Sequence, residues 1–179
     1  MITSFFSQEE LQTLGLKAVG TNCLVSRKAS LYLKDRISLG NNVRIDDFCI
    51  LSGAINIGSN VHIAAYTALY GGEAGIEMED DTGISARCTV YSEIDDFSTI
   101  QLIGPVHPEK DRNLIKGKVK LRRYAQIGAH CVVFPGVELK EGAVLGACSL
   151  AVSDMEPWGI YYGVPAVFHR NREPRQSTE

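Results

Sequence analysis

Along most of the chain the hydrophobic positions recur every six residues. From Leu121 to Glu156 the first place of each six is Leu121, Ile127, Val133, Leu139, Leu145 and Ala151. The fifth is Ala125, Cys131, Val137, Ala143, Ser149 and Met155, mostly small. Six residues advance an α-helix by about 600°, which would scatter the aliphatics around its axis. Separate hairpin strands would need a turn dipeptide between each pair. A fixed hexapeptide period predicts instead an all-β chain wound as a parallel β-helix, three sixes to a triangular coil.

The same frame runs back towards the N-terminus. Val25, Leu31 and Ile37 hold fifth places from about Thr21, and Leu39, Ile45, Leu51, Ile57, Ile63 and Leu69 hold first places. Extra residues around Gly71–Gly75 interrupt the count, which resumes at Met78, Ile84 and Val90. Asp96 falls at the next first place and Ile100 at its fifth. The pattern is lost from Leu102 to Leu114, and Ile115 restores it. Coils therefore start near residues 21, 39, 57, 78, 96, 121 and 139, giving about seven and a prism roughly 34 Å long, held by stacking of coil on coil. Ahead of them, Ser7-Gln-Glu-Glu10 followed by Leu11 and Leu14 predicts a short helix at about 7–14. The chain thus divides into an N-terminal helical segment (1–20), the β-helix (21–156) with a projecting loop at 102–114, and a C-terminal extension (157–179).

Sixth places face outward. On one face they are Ile50, Ala68, Thr89, Val132 and Leu150, an apolar stripe that calls for a partner, here another copy of the chain in a homotrimer or a ligand lying along it. On the second they include Asn56, Asp95, Lys120, Glu138 and Glu156. On the third they are Arg44, His62, Gly83, Gln101, Gln126 and Val144. A 13-residue loop projecting beside the apolar stripe is expected to be functional.

The 179 residues carry a net charge of −3, which gives no reason to expect nucleic-acid or membrane binding. Of the five cysteines, Cys49, Cys88 and Cys131 fall at fifth places, so they read as packing residues in a reducing compartment. With no signal peptide or spanning segment visible, the expected location is the cytoplasm.

The hexads, the loop and the ending Pro157-Trp158…Gly163-Val-Pro-Ala166…Arg170 resemble the left-handed β-helix acyltransferases, over about residues 21–172. Within them the chain is most similar to the galactoside and maltose acetyltransferases. Tyr91-Ser-Glu-Ile-Asp95-Asp96-Phe-Ser98 and Gly104-Pro-Val-His-Pro108-Glu…Arg112-Asn113…Gly117-Lys-Val resemble the branch that acts in surface-polysaccharide synthesis. The resemblance implies a homotrimer with acetyl-CoA in the groove between adjacent prisms. It also points to Ala129 and Ala147 as backbone contacts of the CoA arm, and to Arg170 as a phosphate contact. Where the family has a Thr-Lys pair and a basic residue after Gly-x-Pro-x, this chain has Val152-Ser153 and Val167; Lys116, Lys118, Lys120, Arg122 and Arg123 are then the alternative cations, or simply a solvated edge.

Transfer to a hydroxyl needs a base. His107, in the stiff Gly-Pro-Val-His-Pro stretch, is one candidate. The galactoside-type catalytic histidine aligns with Asp95 by counting hexads and with Gly104 by the Pro-Val-His stretch, so Asp95 is the other candidate, and the absence of any protein base is a third reading. Glu93 and His62 are candidate acceptor contacts; His130 reads as a packing or surface residue, and His169 and Arg175 belong to a basic tail. The expected activity is acetyl-CoA-dependent acetylation of a sugar hydroxyl in O-antigen or capsule assembly. The alternative is N-acetylation of an amino group on a nucleotide-linked sugar, since a free amine attacks without a strong base. A γ-type carbonic anhydrase shares the β-helix but needs three histidines on zinc; the four here fall in unrelated repeat phases, so no metal is expected. A catalytically dead structural trimer is the remaining class.

Overall fold

The computed structural model describes residues 4–173 and is an all-β parallel solenoid of about seven turns with one short helix, matching a left-handed β-helix. Its interior is the column set read from the hexads. Leu121, Ile127, Val133, Leu139 and Leu145 are at most 1% exposed, and Cys49, Cys88 and Cys131 are buried with them. In-register parallel pairing makes each hexad place a straight column. Ile50, Ala68, Thr89, Val132 and Leu150 lie one above the next along one face, each half-buried. Arg44, His62, Gly83, Gln126 and Val144 do the same on a second face. On the third face Ser38, Asn56, Glu77, Lys120 and Glu138 stay wet. Burying one of the interior aliphatics is worth roughly 1.5–3 kcal/mol.

Both ends of the prism are closed. The helix Gln8–Thr13 forms because Ser7 and Glu10 make the expected reciprocal cap: the Glu10 amide donates to Ser7 Oγ at 3.2 Å and the Ser7 amide to Glu10 Oε2 at 2.7 Å. Leu11, fully buried, packs into the first coils. At the other end an antiparallel hairpin, Gly159–Gly163 with Ala166–Asn171, caps the second face.

The chain leaves the prism twice, at the same corner. The Gly71–Gly75 insertion bulges within the long strand Ala68–Met78. Gly53 and Gly72 touch there, and a Cβ on Gly53 would come within 2.5 Å of the Gly72 amide nitrogen. The larger excursion is wider than the expected 102–114. It leaves after Ser92, and the Gly117 amide donates back to the Ser92 carbonyl at 2.9 Å. Its stem is an antiparallel pair, Glu93–Asp95 with Leu114–Lys116. Met78 pairs directly with Leu121, so no coil begins at 96. Ile100 is fully exposed and Ile115 is 46% exposed; Gln101 and Asp95 lie on the excursion rather than in prism columns. The seventh rung of the second face is the strand Gly159–Gly163.

Candidate active site

Where the excursion leaves the prism, its inner side and the apolar face enclose a hollow of about 600 Å³. The prism supplies Tyr70, Tyr91 and Phe134; the excursion supplies Ile94, Asp95, Phe97, Arg112 and Leu114. Tyr70 and Tyr91 pair in register on neighbouring rungs, and their rings stack at 5.3 Å and 15°. Burial, with Tyr70 alongside, pushes the Tyr91 phenol above its ordinary pKa.

Asp95 ends the first strand of the stem and is the polar centre of the hollow. Arg112 Nε donates to Oδ1 at 2.8 Å and Nη2 to Oδ2 at 3.0 Å, while the Gly104 amide donates to Oδ2 at 3.1 Å. One carboxylate thus ties the stem to two distant points of the loop. The bidentate guanidinium is the main reason that its carboxyl sits below the usual range, outweighing the upward push of burial; the Gly104 amide and His107 add to the lowering. His107 is half-buried, its amide held by the Gly104 carbonyl at 3.2 Å. A carboxylate whose charge is so fully met by donors accepts a proton poorly.

Glu93, two residues earlier, turns to the other insertion: its Oε1 accepts from the amides of Glu73 at 2.6 Å and Ala74 at 2.9 Å. His62 lies on the second face, where Nε2 meets Asp46 Oδ2 at 2.8 Å. Ala129 and Ala147 sit one rung apart on the corner between the second face and the apolar face, the Cys148 amide donating to the Ala129 carbonyl at 2.8 Å. The backbone there is close-packed, since a Cβ on Gly128 would fall 2.5 Å from the Ala147 nitrogen. Arg170 is exposed on the terminal hairpin opposite Ile160. Within one chain, Asp95 and His107 come together at the loop, His62 stands on another face, and Ala129, Ala147 and Arg170 belong to the later coils. The basic edge is already neutralised: Lys116 pairs with Glu109, Lys118 with Glu77, Lys120 with Glu138, Arg122 with Glu79 and Glu138, and Arg123 with Asp81. Arg175 lies outside the described residues. Among those described, no group of three or more His, Cys, Asp or Glu is arranged to hold a metal, and no helix is long and apolar enough to cross a membrane.

Sequence reasoning missed Arg112 and the aromatic lining. Tyr70, Tyr91 and Phe134 each follow a buried first-place residue (Leu69, Val90, Val133), so a recurring aromatic second place was there to be found. Arg112 belongs to the loop stretch that carries the family resemblance, but no period or spacing there points to its pairing with Asp95.

No protein-family model matches the chain. It is 38% identical over 166 residues to the dTDP-4-amino-4,6-dideoxy-D-glucose acyltransferase of Escherichia coli, covering 91% of this chain and 86% of that protein. Among solved structures it resembles AntD, an N-acyltransferase from Bacillus cereus in complex with dTDP and 3-hydroxybutyryl-CoA, at 53% identity and TM-score 0.94, over 96% of this chain and 92% of that one. The galactoside O-acetyltransferase of Escherichia coli strain K12 is matched at 26% identity, over 79% of this chain and 66% of that protein. These similarities overturn the expectation of a sugar-hydroxyl acceptor: the relatives matched at 38% and 53% are an acyltransferase named for an amino sugar and an N-acyltransferase, whereas the O-acetyltransferase is far more distant.

Proposed function

The chain belongs to the left-handed β-helix acyltransferases, and on that premise we propose that it moves an acyl group from a CoA thioester to the amino group of a nucleotide-linked amino sugar, such as a dTDP-4-amino-4,6-dideoxyhexose. The observation that carries this reading is its near-full-length similarity to an acyltransferase for that amino sugar. The state of Asp95 agrees with it. A carboxylate clamped by Arg112 is too weak a base for an alcohol, but a neutral amine needs none to attack. In this reading the amine nitrogen bonds to the thioester carbonyl carbon, the C–S bond breaks, the nitrogen gives up its proton to water, and CoA leaves as the thiol. Asp95 holds the loop over the hollow through Arg112 and Gly104, and Tyr70, Tyr91 and Phe134 wall the site against water.

The acyl donor is proposed to lie along the later coils, with its arm against Ala129 and Ala147 and its phosphates near Arg170. The assembly is proposed to be a homotrimer joined through the column Ile50, Ala68, Thr89, Val132 and Leu150, working in the cytoplasm and feeding N-acylated sugars to surface-glycan assembly. His107 then serves the loop rather than proton transfer. Thiol release measured with acetyl-CoA and 3-hydroxybutyryl-CoA against dTDP-4-amino-4,6-dideoxyglucose, a galactoside and maltose tests the reading. Turnover with the amino sugar alone is expected; turnover confined to the two simple sugars would refute it.

A further inference from the structure

Two corners of the prism carry positive-φ residues rung after rung, and over the early rungs they differ in kind. The later rungs of one carry Tyr124 and Trp158, but its early rungs have Asn22, Asn42, Asn60 and Asp81. These short polar side chains tolerate the left-handed region, and they link up it, Asn42 donating to Asn60 and Asn60 to Asp81, both at 3.0 Å. The corner between the second face and the apolar face has Phe48 (φ 61°), Tyr66 (62°) and Arg87 (62°) in the same conformation. Bulky side chains there are held against local preference. Phe48 and Tyr66 stack at 5.0 Å, about half exposed, with the Arg87 guanidinium 5.2 Å over the Tyr66 ring and Lys28 5.4 Å over Phe48. Lys28 is paired with Asp47 at 2.8 Å, whereas Arg87 makes no ion pair among the described residues. Arg87 directly follows Ala86 of a groove of about 380 Å³ on the second face, whose lining also includes His62, Asp81, Gly83, Ser85 and Gln126. The groove offers hydrogen-bonding groups over a floor of small residues, and it opens beside a ring-braced, unpaired cation.

We infer that Arg87 binds the diphosphate of the nucleotide-linked acceptor, that Tyr66 is the positioning residue that holds its guanidinium, and that the nucleoside lies in the groove beside it. The assignment rests on the acceptor reading above. A diphosphate also occurs in CoA, and Gln126 carries the groove up to the coil of Ala129, so the titrations below are made to separate the two ligands. Arg87 matches a diphosphate because a planar guanidinium bonds two phosphate oxygens at once.

The test is calorimetric titration of the intact protein with dTDP, thymidine and CoA separately. Arg87→Asn suits it, since asparagine tolerates the left-handed corner and the fold is retained. It is expected to weaken dTDP binding about ten-fold or more while leaving thymidine and CoA unchanged, the loss of a charge-assisted contact. Tyr66→Leu should weaken dTDP in the same sense and Tyr66→Phe should restore it, because the ring face and not the hydroxyl braces the cation. Wild-type dTDP affinity in Arg87→Asn, or a loss on CoA instead of dTDP, would overturn the inference and leave the acceptor reading standing. A wild-type protein that binds CoA but not dTDP would overturn the acceptor reading itself, and the inference with it.

Discussion

At the scale of single residues the site turns on Asp95. Its three donors come from Arg112 and Gly104, so this carboxylate sets the shape of the loop that borders the hollow. Asp95→Ala should therefore lower kcat/KM by about 10²-fold, the cost of a catalytic segment misplaced by about an ångström. His107→Ala should leave turnover within a few-fold of wild type in the same steady-state assay. The pH dependence has a definite sign. The Asp95 pKa is lowered in the folded protein, so its contribution to loop order is complete above the ordinary carboxylate value near 4 and is lost only as pH falls through the depressed folded value. Amide exchange across residues 95–112 should accordingly stay slow down to about pH 4 and rise below it; loop opening between pH 5 and 7 would contradict the ion pair. Asp95 was singled out as an outward place of a coil, but it stands in the stem of the excursion. Its pairing with Arg112 was not legible, because the partner is 17 residues away through a segment with no period.

At the scale of elements, the hexads specify the prism because each first and fifth place has no alternative to the interior. Leu145, fully buried, should cost about 2–5 kcal/mol as Leu145→Ala, read by denaturant unfolding. The excursion is a separate matter. Ile100 and Ile115 fit the hexad frame by count but lie exposed, since an apolar residue in phase is buried only if its strand stacks on a neighbour. The strands that do stack are those of Met78 and Leu121, and the residues between them are free to leave. Replacing residues 96–113 with a short Gly–Ser link should thus change the thermal midpoint little and abolish transfer; an unfolded product would show that the loop holds the prism together.

At the scale of the whole molecule, the half-buried column Ile50, Ala68, Thr89, Val132 and Leu150 is the feature that one chain leaves unanswered. Two carboxylates placed in it, Val132→Glu with Leu150→Glu, should leave a monomer in sedimentation, because burying unpaired charge costs more than the contact gains. A double variant still sedimenting as a trimer would remove this face from the interface. The fold class and the interior columns were legible in the repeat, whereas the coil counted at 96 proved to be part of the excursion and the last rung of the second face lay beyond the hexads. The acceptor was not, because a β-helix presents the same backbone to an alcohol and to an amine. The most direct test is therefore the bond formed. The protein is incubated with acetyl-CoA and an equimolar mixture of dTDP-4-amino-4,6-dideoxyglucose and its 4-hydroxy counterpart, and the products are weighed by mass spectrometry before and after alkaline hydroxylamine. Acylation of the amino sugar alone, resistant to hydroxylamine as an amide must be, is the result predicted here; a hydroxylamine-labile ester on the hydroxyl sugar would contradict it.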